Sequence, residues 1–403
     1  MTQLFTKEYL AETFDFPTIN DQQVEAINLA VAWYRGWVAR KHRKQIFFLA
    51  GYAGTGKTTI AKIIATLCAT MDRTMFIAPT GKATSRLRQK GCPGAKTMHQ
   101  FIYNVRGEDD DGEIIFVAKG ALDDDGVKLV VLDEASMVGV YDTDKLTSHR
   151  IPILALGDPG QIPPVKAAVY FTPESADYTL ETIERNAGNI VKGSMWIRQG
   201  KRLPPREYDD VSVRDGVIGD EELLTFTGED AVVLCSYNNT RKSYNARIRK
   251  LLGFTDMRPQ VGEKVVCTFN QHGYNIMNGE QGIVIRYEDI PEGSEDSDDA
   301  PGMEYVILKS LTDGKERYAK FNPSCFSEDF QTREDSYKCT GGFDYGFCLT
   351  IHKSQGSEWL RVLIIEELLR GVPYHQLMYT GVTRAIEYLS IRRYPERRSN
   401  MYG

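Results

Sequence analysis

No run in the 403-residue chain approaches the eighteen or so consecutive apolar residues of a membrane span, so a helical membrane protein is excluded. The opening MTQLFTKEYLAETFDF has acidic residues and no apolar h-region, and neither a secretory nor a transit peptide is expected. The seven cysteines (Cys68, Cys92, Cys235, Cys267, Cys325, Cys339 and Cys348) form no CxxC and no Cys/His pattern at zinc spacing. That scatter speaks against structural zinc and for reduced thiols in the cytosol. Positive charge is also short, with 49 Lys and Arg against 55 Asp and Glu, a net charge of −6. The overall charge therefore gives no positive argument for nucleic-acid binding, since phosphate binding draws on Lys and Arg. Much of the acid lies in blocks at 108–113, 123–125 and 292–299, the last a solvated loop by composition, which leaves room for a local basic path.

What the chain does have is 42% hydrophobic and 26% charged residues and length for two or three domains. The strongest local signal is GYAGTGKTT at 51–59, behind the apolar run 46–50 and ahead of the apolar-periodic stretch 60–67. Strand, glycine loop and helix in that order make a phosphate cradle. Glycines 51, 54 and 56 let backbone N–H groups close on phosphates, Lys57 reaches the β/γ oxygens, and the Thr58 hydroxyl suits Mg²⁺. The nucleotide-binding set is Gly51, Gly54, Thr55, Gly56, Lys57, Thr58 and Thr59.

Apolar runs at 46–50, 74–78, 127–132 and 151–156 alternate with helical patterns, predicting an α/β domain on a parallel sheet. Residues 103–125 interrupt it as a small hairpin. A second α/β pattern begins near Leu180, with a strand at 231–237 and a basic helix at 240–252. Residues 261–339 turn all-strand, and the α/β pattern then resumes. Expected boundaries are 1–175 for the first domain, 176–260 plus 340–403 for the second, and 261–339 for a β insertion.

The run Val130–Leu132 ends in Asp133 and Glu134. A carboxylate at a parallel-strand tip can hold Mg²⁺ through water, and its neighbour can deprotonate an attacking water. That pairing points to hydrolysis. A P-loop kinase would use the same cradle without a hydrolytic Glu134. The next strand runs into GDPGQIPPV, where the Gln161 amide suits a γ-phosphate sensor.

The ordered series APTGKA (78–83), TMHQF (97–101), DEAS (133–136), GDPGQIPPV (157–165), LETIER (180–185), LTIHKSQGSE (349–358) and YTGVTRA (379–385) resembles the motif series of superfamily 1 DNA helicases, in their RecD-like branch. The match spans about residues 18–391. It implies two RecA-like P-loop domains with ATP and Mg²⁺ between them, a pin-like hairpin in the first and an SH3-like β-barrel insertion in the second. By that resemblance Gln23 reads adenine, Glu358 reaches the ribose, Asp133 and Thr58 hold Mg²⁺, and Arg185 and Arg384 act as arginine fingers beside Lys57, Glu134 and Gln161. The family usually follows the first finger with glutamine, and here Asn186 stands there. DNA contact is implied for Thr80, Lys82, Thr97, His99, Thr350, His352 and Lys353, and strand separation for Ile115 and Phe116. The expected partners are single-stranded and forked DNA, with single-strand-binding, replication or recombination proteins as further ones. The implied protein is a cytoplasmic monomer of a bacterial or phage-infected cell that unwinds DNA 5′ to 3′; a DNA-stimulated ATPase subunit or loader is the alternative.

Overall fold

The computed structural model describes residues 5–108, 114–119, 126–163, 168–182, 188–269, 271, 274, 276–288, 303–327 and 342–393, the side chains of 105–108, 114–116 and 118 excepted. The chain divides into two units, Met1–Ala187 and Gly188–Gly403.

The first unit is built on six parallel strands in the order Lys96–Thr97, Thr74–Ala78, Leu129–Leu132, Ile153–Gly157, Ile46–Gly51 and Tyr178–Leu180. Alternate side chains of a strand face opposite ways. Phe47 and Leu49 accordingly enter the apolar cluster under helices Asp21–Val38 and Lys57–Cys68, while Phe48 and Ala50 enter the one containing Phe101 and Leu146. With both faces covered, the strands read as continuous apolar runs. Tyr178–Leu180 belongs to this sheet, pairing Leu49 with Tyr178. The second α/β pattern therefore starts later than residue 176, because a short apolar run does not announce which sheet it joins. Residues 103–125 include the antiparallel strands Tyr103–Glu108 and Ile114–Ala118.

The second unit carries another mostly parallel sheet, in the order Cys348–Thr350, Ala231–Cys235, Trp359–Glu366, Ala385–Arg393, Val211–Asp215 and Arg206–Glu207, only the last pair antiparallel. Its five-stranded antiparallel sheet runs Glu316–Phe321, Glu304–Ser310, Gln281–Glu288, Lys264–Cys267 and Phe343–Tyr345. The closing strand lies past residue 339, so the insertion ends later than its composition suggests. Its core holds Val265, Val284, Val306, Leu308 and Phe321.

Buried charges fasten this sheet to the α/β part of the same unit. Arg249 on helix Asn238–Leu252 pairs with fully buried Glu263, and Arg241 meets Asp344 at 2.6 Å. Lys264, wholly buried, donates to the carbonyls of Gly228 and Ala231. Burial pushes its ammonium down from 10.5 to about 8, against the opposing pull of Glu229 and Asp230. Between those values the unfolded chain binds more protons than the folded one, so the contribution of Lys264 to stability is full above pH 10.5 and is lost as pH falls through 8. Urea unfolding at pH 8, 9 and 10 is expected to show this residue raising stability by up to about 1.4 kcal/mol per pH unit, a slope that Lys264→Met removes.

Candidate active site

Strand Ile46–Gly51 delivers the glycine loop at its C-terminal tip. Gly54 and Gly56 take φ of 83° and 82°, a left-handed conformation costly for other residues. A Cβ on Gly51 would lie 2.8 Å from Thr55 Oγ1, and one on Gly56 2.8 Å from Gln23 Nε2. The loop is therefore closed against its own neighbours, and only glycine fits. Helix Lys57–Cys68 starts from Gly56 with no side-chain cap, which leaves its first N–H groups for an anion. Lys57 Nζ folds back onto the carbonyls of Gly51 (2.6 Å) and Tyr52 (3.0 Å), with Thr58 beside it and Thr59 exposed.

Asp133 and Glu134 follow strand Leu129–Leu132. The Glu134 N–H donates to Asp133 Oδ1 at 3.0 Å, and Glu134 has φ 53° and ψ 38°. A non-glycine residue there stores backbone strain of order 1–3 kcal/mol. Burial raises the Asp133 pKa and the Glu134 carboxylate adds to it, while the Glu134 N–H, Lys57 and Lys90 pull the other way. Two crowded carboxyl groups, that of Asp133 within electrostatic reach of Lys57, the residue before Thr58, are hard oxygen donors of the kind that fit Mg²⁺, which takes one or two carboxylates and completes its shell with water and phosphate. Ser136 Oγ accepts the Asp158 N–H (3.2 Å), Asp158 Oδ1 the Gly160 N–H (2.9 Å), and the Asp158 carbonyl the Gln161 N–H (3.2 Å). This stitching holds Gln161, 6% exposed, with its Oε1 buried and unpartnered. Sequence reasoning missed Ser136 and Asp158, because only the fold shows that they join two strand tips.

Gln23 departs from expectation. It is fully buried, its Oε1 accepting the Asn20 N–H and its Nε2 donating to the Thr55 carbonyl, each at 3.2 Å. It buttresses the glycine loop from behind, with its amide spent on the protein. Gln22 Oε1 accepts the N–H groups of Glu181 (3.1 Å) and Thr182 (2.9 Å).

Two of the threonines expected to meet DNA, Thr80 and Thr97, cap helices. Thr80 Oγ1 accepts the Ala83 N–H and Thr97 Oγ1 the Gln100 N–H, each at 3.2 Å. Their strands are neighbours, with Ala78 opposite Thr97, so two helix N-termini open side by side at one sheet edge, near half-buried Lys82 and exposed His99. In the second unit Thr350 Oγ1 accepts the Lys353 N–H at 3.3 Å. His352 there is half-buried, which lowers its pKa and favours the neutral ring, and Lys353 is exposed.

Arg384 is 2% exposed and tied within its own unit. It donates to the carbonyls of Thr380 (2.9 Å) and Ser357 (3.1 Å) and to Thr383 Oγ1 (3.0 Å), joining the end of helix Tyr374–Val382 to the segment before half-buried Glu358. Arg185 lies outside the described residues. Ile115 and Phe116 fall on strand Ile114–Ala118, where Phe116 registers with Val105, and their side chains are outside the description.

An AAA-domain family model matches residues 20–210, and a UvrD-like helicase C-terminal domain matches 345–391. The chain is 25% identical over 368 residues to the ATP-dependent RecD2 DNA helicase of Deinococcus radiodurans, covering 85% of this chain and 46% of that one. It is 28% identical over 279 residues to the ATP-dependent DNA helicase dda of Enterobacteria phage T4, covering 62% and 61%. It thus spans about half the length of these relatives. A solved Pif1 helicase from Bacteroides, in complex with ADP-AlF3 and ssDNA, shares the fold with a TM-score of 0.55 at 17% identity and 92% coverage of each chain.

The strain at Glu134 has a measurable consequence. Glu134→Gly is expected to stabilise the protein by about 1 kcal/mol more than Glu134→Gln in urea titrations. Both variants relieve repulsion from Asp133, so their difference isolates the backbone.

Proposed function

We infer that the chain belongs with the RecD-like branch of the superfamily 1 helicases and is an ATP-dependent DNA helicase moving on single-stranded DNA and unwinding duplex. The observation that carries the reading is the grouping of Lys57, Asp133 and Glu134 beside the glycine loop, with the buried Gln161 Oε1 unpartnered. An acceptor held without a partner in a poorly solvated place suits an attacking water.

Lys57 exchanges its loop carbonyls for the β/γ oxygens of ATP, received by the N–H groups of 54–59. Thr58 and Asp133 would hold Mg²⁺, which would supply charge neutralisation of the phosphates. Glu134 takes the proton of the attacking water and Gln161 orients it. Arg185 and Arg384 stabilise charge developing on the γ-phosphoryl group. Arg384 is buried against its own unit, so engaging the phosphoryl group would move it between two hydrogen-bonded states. Glu358 reaches the ribose.

Thr80, Lys82, Thr97 and His99 on the first unit and Thr350, His352 and Lys353 on the second contact the strand. Helix N-termini and short hydroxyls bind phosphate and ignore base identity. The hairpin at 103–125, with Ile115 and Phe116, serves as the pin at a fork. The five-stranded sheet is the SH3-like insert of the RecD-like pattern. Movement is 5′ to 3′, as that resemblance implies. The protein works as a monomer, with replication or recombination proteins as partners.

ATP turnover is expected to rise strongly with single-stranded DNA and to vanish in Lys57→Ala and Glu134→Gln; turnover indifferent to DNA would favour a different P-loop enzyme. Arg384→Ala should still bind ATP and melt as a folded protein while losing about 10³-fold in turnover. Strand displacement on forks with only a 5′ or only a 3′ tail tests polarity, and unwinding confined to 3′ tails overturns it.

A further inference from the structure

Beside the capped strand tips of the first unit lies a group of rings of which the chemistry above uses only His99. Tyr141, in the first turn of helix Val140–Thr147, is 68% exposed, and Lys145 places its ammonium 5.4 Å from that ring's centroid. Tyr103 packs its half-buried body against the core that contains Phe101 and Leu146, and its hydroxyl lies within electrostatic reach of Tyr141. Exposed His99 stands four residues before it, the two ring centroids 5.7 Å apart at an interplanar angle of 31°. Lys119 brings a second ammonium close, donating to the Gln100 carbonyl at 2.9 Å, and Asp142 is the acidic group near Tyr103.

One exposed tyrosine is ordinary. Three neighbouring rings, anchored from beneath and flanked by two lysines, have the composition of a platform for unpaired bases, since every base offers a π-face and the backbone carries the charge. Their place agrees, because His99 and Tyr103 belong to the segment that starts at the Thr97 cap.

We propose that Tyr141, Tyr103 and His99 form a ledge on which bases of the bound strand stack while the neighbouring caps at Thr80 and Thr97 hold its phosphates. The inference rests on the single-strand reading above and gives His99 a base-facing role. Stacking of this kind is tolerant of sequence, as a moving enzyme requires.

Fluorescence anisotropy of the full chain, with a labelled oligothymidine and with an equal-length abasic strand, tests it. Tyr141→Ala is expected to weaken binding of the base-bearing strand about 5- to 100-fold, to leave abasic binding unchanged, and to melt as the wild type does. Tyr141→Phe should keep wild-type affinity, since it retains the ring. Wild-type affinity of Tyr141→Ala for oligothymidine, or an equal loss on both strands, overturns the ledge and leaves the single-strand reading standing. Failure of the wild type to bind either strand overturns both.

Discussion

Parallel strand pairing is the constraint on which the rest depends. Strands that all run one way leave the sheet along one edge, so residues far apart in the chain meet there without any contact between their own segments. The register makes this concrete in the first unit: Thr97 lies opposite Ala78, Ile77 opposite Leu132, Leu132 opposite Ala155, and Ala50 opposite Gly157. The glycine loop, the Asp133–Glu134 pair and the loop to Gln161 are continuations of that row. Chemistry gathers at the edge because the backbone there has left the ladder and needs new partners.

The threonines show how one group can answer two demands. A helix N-terminus must have its N–H groups satisfied, and a threonine oxygen does so at about 1 kcal/mol per cap. The remaining N–H groups of the same turn stay directed outward, which is the feature an anion uses. Thr80 and Thr97 are therefore structural caps that leave the rest of their turns open to an anion. Charge follows a similar economy. The chain is net acidic, yet Arg249, Arg241 and Lys264 are spent inside the second unit on burying the β insertion. Such pairs cost desolvation and return a fixed geometry.

Much of this was legible in the sequence. The strands at 46–51, 74–78 and 129–132 follow from apolar runs bounded by turns, and GYAGTGKTT carries its own geometry because only glycine tolerates φ near 80° at Gly54 and Gly56. What escaped was set by tertiary contact. Nothing local tells whether Gln23 faces a ligand or the loop behind it, since its burial depends on the packing of helix Asp21–Val38. Nor does YTGVTRA reveal that Arg384 is held by the Ser357 carbonyl, twenty-seven residues upstream. The three-residue strand Tyr178–Leu180 is too short for its pattern to name its sheet.

The β insertion enters along Lys264–Cys267 and leaves along Phe343–Tyr345, and these two strands pair with each other, Val265 opposite Tyr345. Entry and exit are thus adjacent, so the parent domain meets the whole segment as if it were a tight turn. Closing a long loop costs chain entropy only until its own folding brings the ends together. The insertion supplies that closure from within. Its outer tips are consequently free to lengthen, shorten or change composition over evolutionary time without disturbing the parallel sheet of its own unit.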